Sequence, residues 1–162
     1  MATLIIGLGI ALLDQAAKVA VRQWLPLGVV RPVVDGFFNL THVRNTGAVW
    51  GIFQSQNGWL VLVSLSILLL IAIFYRRLVD HYGIHRLAMG LMVGGIIGNL
   101  MDRILLGWVV DFLDFHWRTY HWPAFNIADA AVCLGVIIYL LSSGRRQREL
   151  AALAARQAAP ER

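Results

Sequence analysis

Four stretches of the chain are apolar at nearly every position. Each is close to the roughly 20 residues that an α-helix needs to cross the hydrocarbon of a bilayer. They are residues 2–21 (ATLIIGLGIALLDQAAKVAV), 58–75 (GWLVLVSLSILLLIAIFY), 87–106 (LAMGLMVGGIIGNLMDRILL) and 123–142. The pattern predicts four membrane-spanning helices. The fourth is expected to open at Pro123, since a proline loses nothing by lacking an N–H at a helix start. Segment 22–57 is too long for a plain connection. Within it, FFNLTHVRN (37–45) has strand-like composition, and NTGAVWG (45–51) joins turn residues to a short apolar stretch expected to form an interfacial helix. The Ala-rich end, ELAALAARQAAPER, reads as a frayed helix or as disordered chain. The expected fold is an all-α membrane protein with four transmembrane helices and a small β-like segment. One membrane unit covers residues 1–144, and a basic tail covers 145–162.

Composition agrees. The 162 residues are 59% hydrophobic and 14% charged, with a mean hydropathy of +0.67; soluble domains carry about 25% charged residues. The net charge of +5 does not point to nucleic acid, because many of the basic residues stand at the ends of apolar runs. Their placement sets an orientation instead. Arg76, Arg77 and Arg86 lie between spans two and three, and Arg145, Arg146 and Arg148 follow span four. Both groups are expected in the cytoplasm, which leaves both termini cytoplasmic and puts 22–57 and 107–122 outside. Arg22, Arg31, Arg44 and Arg118 make this bias moderate. Tyr75, Trp59, Trp108 and Trp122 fall at the expected interfaces, where amphipathic rings are favoured. The first run has no basic stretch ahead of it and no convincing cleavage pattern, so it is expected to be a retained helix. The single cysteine, Cys133, excludes an internal disulfide and reads as a small packing residue.

The polar exceptions inside the spans carry the chemistry. A charge buried at the bilayer centre costs roughly 2.5–3.5 kcal/mol even on lenient insertion scales. Yet spans one, three and four hold Asp14, Lys18, Asn99, Asp102, Arg103, Asn126 and Asp129. With the expected orientation all fall towards the outer leaflet. At about 1.5 Å per residue, Asp129 lies roughly 9 Å below the start of its helix and Asp14 about 10 Å below the end of its own. Convergence on one depth indicates a shared site. Helical phase supports it. Gly95, Asn99, Asp102 and Arg103 share one face of span three, and Gly90, Gly94 and Gly98 form a small-residue row on the adjoining face that admits a second helix. Asn126, Asp129, Ala130 and Cys133 form a small, polar stripe on span four. Asp14 and Lys18, the only lysine, are spaced to pair. Asp111 and Asp114 follow span three, and Asp111 is expected to face Asp129 across the mouth of the bundle.

Plainer readings compete. Asp102 and Arg103 with Asn99 read as a structural charge pair, and Asp14–Lys18 as a helix-end pair. His81 and His85 have metal-like spacing, but they sit in the arginine-rich loop far from the polar cluster. His116 and His121 read as surface residues, and Ser64 and Ser66 as back-bonded to their own helix. Asp129 has no basic residue within a turn on its helix and resists a structural account. No HExxH or GxSxG pattern is present. What remains is a pair of carboxylates near water in an apolar surround. Two such groups share one proton: one acts as base on a water while the other, protonated, polarises a carbonyl. That is aspartic-protease chemistry, with no metal or cofactor. A proton or ion translocator needs titratable groups through the full depth of the membrane, and span two and the inner halves of spans three and four have none. A scaffold would explain the glycines but not Asp111 and Asp129.

These residues resemble the bacterial lipoprotein signal peptidases, or signal peptidase II, over about residues 10–142. DQAAK (14–18), RNTGAVWG (44–51), GGIIGNLMDR (94–103), VVDFLDFHW (109–117) and FNIADAAV (125–132) are similar to the family's five motifs, in order. The resemblance implies an aspartic endopeptidase of the bacterial inner membrane that removes the signal peptide from prolipoproteins, just before a cysteine carrying diacylglycerol. It implies Asp111 and Asp129 as the catalytic pair, and Asp14, Asn45, Asn99, Arg103 and Asn126 as residues that line or support the site. Asp102 lies in the same motif, and Lys18 and Gly95 join the support by their placement. The resemblance also implies inhibition by globomycin-type peptides. Trp50 stands where the family more often has Phe, a change that bears on a substrate-facing wall and not on the chemistry. Asp129 is then explained. The substrate arrives laterally from lipid with its cysteine anchored in the outer leaflet, so the catalytic acid is needed at that depth.

Overall fold

The structure is a computed structural model. It describes residues 1–47, 52–79, 83–118 and 120–158, with side chains as far as Gly144. The order of elements is α1 (Ala2–Trp24), β1 (Val30–Val34), β2 (Phe38–Asn45), α2 (Asn57–Leu78), α3 (Gly83–Leu105), β3 (Val109–Trp117), β4 (Tyr120–His121) and α4 (Ile127–Ala158). Four helices are long and apolar enough to span a membrane: α1, α2, α3 and the Ile127–Gly144 part of α4. Their outward faces carry large exposed apolar side chains such as Leu8, Leu12, Leu70 and Ile73. In water these would be a liability; in lipid they are the solvated surface.

Helix α3 is central, and its glycines are why. A Cβ at Gly94 would lie 2.5 Å from the carbonyl oxygen of Gly7, and one at Gly90 would lie 2.7 Å from Ile6 of α1. One turn along the other face, a Cβ at Gly95 would collide with the carbonyl oxygen of Ala128 at the start of α4. Gly135 answers from α4, where a Cβ would meet the carbonyl of Ala88 at 2.7 Å. Helices α1 and α4 thus approach α3 backbone to backbone, the small-residue packing expected where lipid supplies no hydrophobic drive between helices. Helix α2 has no fully buried residue. It is tied to the bundle by polar contacts, among them Thr3 and Tyr75, whose hydroxyls lie 2.7 Å apart, and the Asn57 side chain donating to the carbonyl of Arg103 at 2.9 Å.

At one end of the bundle lies a four-stranded antiparallel sheet in the order β1-β2-β3-β4. Three departures from expectation matter. First, the sheet is not confined to 22–57. VVDFLDFHW forms β3, so Asp111 sits on a strand rather than in a loop. Second, α4 starts at Ile127, not at Pro123. Phe125 instead forms a bridge with Leu113, with Leu113 N–H donating to the Phe125 carbonyl at 2.8 Å. Third, in the expected interfacial helix, Ala48–Gly51 with Trp50 lie outside the described residues. Residues 52–55 form turns, with Phe53 and Ser55 at positive φ. His81 also lies outside the described residues. The backbone of the tail continues α4 to Ala158.

Between Leu40 and Val43 the β2–β3 register shifts, so three steps on β2 match two on β3, from Leu113 to Asp111. This is a bulge, a device common beside functional sites. It lies beside Asp111, which pairs with Val43. His42, within the shift, is buried, its Nδ1 2.8 Å from the carbonyl of Leu25. A core of Val21, Leu25, Val110 and Phe112 seats β3 on the end of α1. Strand β1 is a fully exposed edge and carries Pro32, a residue edges tolerate.

Candidate active site

The site forms at the end of the bundle where α1, α3 and α4 meet β2 and β3. Its hub is Asn126, fully buried and placed immediately before α4. Its side-chain oxygen accepts the backbone N–H of Asp129 at 2.9 Å, and the Asp129 carboxylate accepts the backbone N–H of Asn126 at 3.3 Å. This is a reciprocal capping box built from Asn and Asp, which satisfies two donors at the helix start. The N–H between them, of Ala128, donates to Asp14 at 2.9 Å. Helix α4 therefore begins where it does because Asn126, Asp129 and Asp14 together accept its orphan donors.

The remaining valences of Asn126 reach the strand. Its amide donates to Asp111 Oδ1 at 2.7 Å and to Asn99 Oδ1 at 3.1 Å. Asn45, at the end of β2, donates to the other oxygen, Asp111 Oδ2, at 2.9 Å. Asn99 donates to Asp129 Oδ1 at 2.7 Å. Two carboxylates from distant segments are thus held by three asparagines. Asp111 is 2% exposed. Burial and then the neighbouring charge of Asp129 push its pKa up to about 7, against the lowering effect of the Asn45 and Asn126 hydrogen bonds. A carboxyl poised near neutrality suits general acid–base work.

Behind the pair lies a buried ionic layer. Lys18 is 1% exposed and its ammonium meets Asp14 Oδ2 at 2.8 Å, Asp102 Oδ2 at 3.1 Å and Asn99 Oδ1 at 2.9 Å. All three of its donors are used. Asp102 also accepts from Gln15 at 2.9 Å and from the backbone N–H of Val110 at 3.0 Å. The expected pairing of Asp102 with Arg103 is therefore corrected. Neighbours in sequence point about 100° apart on a helix. Asp102 faces α1, and Arg103 instead donates to the carbonyl of Gly47 at 3.0 Å.

The structure thus brings together Asp14, Lys18, Asn45, Asn99, Asp102, Arg103, Asp111, Asn126 and Asp129, with Gly95 as the gap that admits the start of α4. Gln15 and Asn57 were not legible as members. Gln15 stands beside Asp14 in DQAAK, and that adjacency was the available signal. Cys133 is exposed rather than packed inside, so the small polar stripe of α4 ends at the site. Asp114 forms a separate cluster on the sheet. Burial works against its charge, but hydrogen bonds from Asn39 at 2.8 Å and His121 at 3.0 Å hold its pKa below the ordinary carboxylate value. His121 is exposed as expected, while the half-buried His116 stacks on it, ring centroids 4.8 Å apart. Ser64 and Ser66 bond back to Leu60 and Leu62.

Four spanning-capable helices, an antiparallel sheet at one end of the bundle and a carboxylate pair, one buried and one half-buried, define a multi-pass membrane protein with the equipment of an acid–base hydrolase. Comparison with known proteins makes this specific. The family model described as Signal peptidase (SPase) II matches residues 6–145. The Lipoprotein signal peptidase of Geobacter sulfurreducens is 42% identical over 147 residues, covering 89% of this chain and 92% of the relative. That of Ralstonia nicotianae is 39% identical over 148 residues, covering 88% and 85%. A solved structure described as a bacterial membrane enzyme superposes with a TM-score of 0.83 at 30% identity, covering 90% of this chain and 88% of that one. The chain belongs to the signal peptidase II family, a family of membrane proteases.

Proposed function

We propose that this protein is an aspartic endopeptidase that removes the signal peptide from diacylglyceryl-modified prolipoproteins, cutting before the lipidated cysteine. The observation that carries the reading is the joining of Asp111 and Asp129 through Asn126 and Asn99 in a buried site. Two carboxyls so placed share one proton, because both cannot ionise at close range without a large penalty. The ionised one takes a proton from water. The protonated one gives its proton to the scissile carbonyl oxygen, and the proton taken from water then passes to the leaving amine. Asp14, Lys18, Asn45, Asn99, Asp102, Arg103 and Asn126 hold this geometry, and Gly95 makes room for it. No metal or cofactor takes part.

The membrane unit, residues 1–144, lies in the bacterial inner membrane with both termini cytoplasmic and the site towards the outer leaflet. The basic tail 145–162 stays on the cytoplasmic side. Substrate arrives laterally from lipid, and the diacylglyceryl group sets the depth of its peptide bond. Globomycin-type peptides inhibit by occupying the carboxyl pair. The test is side-by-side digestion of lipidated and unlipidated precursor by the purified protein in nanodiscs. Cleavage of the lipidated form alone is expected. Equal rates would show that the lipid is unnecessary and would overturn the depth argument.

A further inference from the structure

The polarity of an asparagine amide is set by whatever neighbour has only one way to bond. Asn99 faces Lys18, whose ammonium is donor-only, at 2.9 Å through Oδ1; its NH₂ is therefore turned to Asp129 Oδ1. Asn126 accepts a backbone N–H through Oδ1, so its NH₂ is turned to Asp111 Oδ1. Asn45 accepts the backbone N–H of Gly47 at 2.9 Å, so its NH₂ is turned to Asp111 Oδ2. None of the three amides inverts without setting donor against donor. Both oxygens of Asp111 thus receive short amide donors. Asp129 receives one on Oδ1, while among the described residues its Oδ2 meets only the 3.3 Å contact from Asn126 N–H. Donors stabilise the charged form of a carboxyl.

From this we propose that Lys18 is a positioning residue that acts through Asn99 to place the shared proton of the pair on Oδ2 of Asp129, leaving Asp111 as the base. The inference rests on the aspartic reading above. It also gives a use for the only lysine in the chain, buried at a depth where a charge is costly. The charged groups facing the pair are Asp14 and Lys18 from α1 and Asp102 and Arg103 from α3; β2 contributes Asn45. In the step so assigned, Asp111 takes a proton from water as its oxygen bonds to the scissile carbon. The proton of Asp129 passes to the carbonyl oxygen; collapse of that adduct breaks the C–N bond as Asp111 delivers the proton it took from water to the departing nitrogen and the adduct hydroxyl returns its proton to Asp129.

The pH profile of kcat/KM reads the assignment, because the acid limb reports ionisation of the base and the alkaline limb loss of the shared proton. Asn99→Leu keeps Lys18 with its two carboxylates and removes the relay, along with one acceptor of the Asn126 amide, which keeps its bond to Asp111. It is expected to move the alkaline limb up by about one unit and leave the acid limb in place. Asn45→Leu is expected to move the acid limb up by a similar amount. Lys18→Met is expected to move the alkaline limb further than the acid limb, with Lys18→Arg restoring it. A lysine with only a structural role would lower stability and move neither limb. Movement of the acid limb in Asn99→Leu would reverse the assignment. A readout independent of turnover is carboxyl ¹³C NMR of Asp-labelled wild-type protein, assigned with Asp111→Asn and Asp129→Asn. Between the two limbs Asp111 is expected at its ionised shift and Asp129 at its protonated shift, and the reverse would overturn the proposal even if variants are inactive. Turnover retained in Asp111→Asn and Asp129→Asn would instead defeat the aspartic reading itself.

Discussion

Asn126 donates to Asp111 at 2.7 Å with the same amide group whose oxygen caps the backbone of Asp129 at 2.9 Å. One residue therefore fixes the start of α4 and the spacing of the two carboxyls. The pair is set by secondary structure on one side and by a strand on the other. Asn keeps the size of either carboxyl and one acceptor oxygen, although at position 111 its NH₂ meets one of the two amide donors. Asp111→Asn and Asp129→Asn are each expected to abolish cleavage while the protein stays folded, measured by precursor digestion and by thermal unfolding in detergent. Chelators are expected to have no effect. Inhibition by a chelator, reversed by added metal, would place the chemistry elsewhere.

The raised pKa of Asp111 has a consequence for stability with a definite sign. The ordinary value of this group is 3.8; in the folded protein burial, and the charge of Asp129 wherever that group is ionised, push it up to about 7. Between these values the folded state binds more protons than the unfolded one, so the contribution of Asp111 to stability is full below about 4 and is lost as pH rises to about 7. Asn cannot ionise and carries no such loss. The melting temperature of Asp111→Asn relative to wild type is expected to be higher at pH 8 than at pH 4. A constant gap across that range would show that Asp111 titrates normally.

Asp14 tests support against chemistry. It holds Lys18 and the N–H of Ala128, and it is fully buried. Asp14→Ala leaves a buried cation one partner short, a change that typically costs about 3–5 kcal/mol. A lowered melting temperature and weaker apparent substrate affinity are expected. Unchanged stability with turnover eliminated would move Asp14 into the reacting group.

The spans were legible because lipid demands one simple pattern, and the site because polar residues at one depth need a common reason. The strands were harder. Residues 109–112 are buried at every position, so β3 shows no alternation at its start, and β1 is exposed throughout. Neither carries the period of two that marks a half-buried strand. Partner choice was also hidden. Asp102 and Arg103 are adjacent in sequence but turn to different neighbours, and only the placement of α1 reveals Lys18 as the mate of Asp102. Gln15 and Asn57 act on backbone carbonyls, of Gly98 and Arg103, contacts that composition does not announce.

Orientation follows from arginine placement and is open to a direct test. Reporter fusions near Asn39 and Tyr120 are expected to face outward, and fusions near His81 and in the tail to face the cytoplasm. Asn39 pairs with Asp114 on β3, so the first two sites must share a side. A cytoplasmic signal from Tyr120 would place the carboxyl pair towards the inner leaflet, away from lipid-anchored substrate.

Gly95 offers a test of geometry without touching any reacting group. Its Cα faces the first turn of α4, and an added Cβ would collide with the carbonyl of Ala128 and lie 2.7 Å from Val132. The obstacle is backbone, so it cannot rotate aside as a side-chain tip does, and α4 must shift. The residue displaced first is next to Asp129. A misplacement of about 1 Å at a catalytic group costs on the order of 100-fold in rate. Gly95→Ala is therefore expected to lower kcat by that order. Gly9→Ala in α1, where nothing lies within 4 Å of an added Cβ, serves as the control and is expected to leave kcat unchanged. The measurement is kcat and KM on lipidated precursor together with the melting temperature. Loss of stability without loss of kcat in the folded fraction would mean that α4 adjusts elsewhere and that the close approach at Gly95 does not set the position of Asp129.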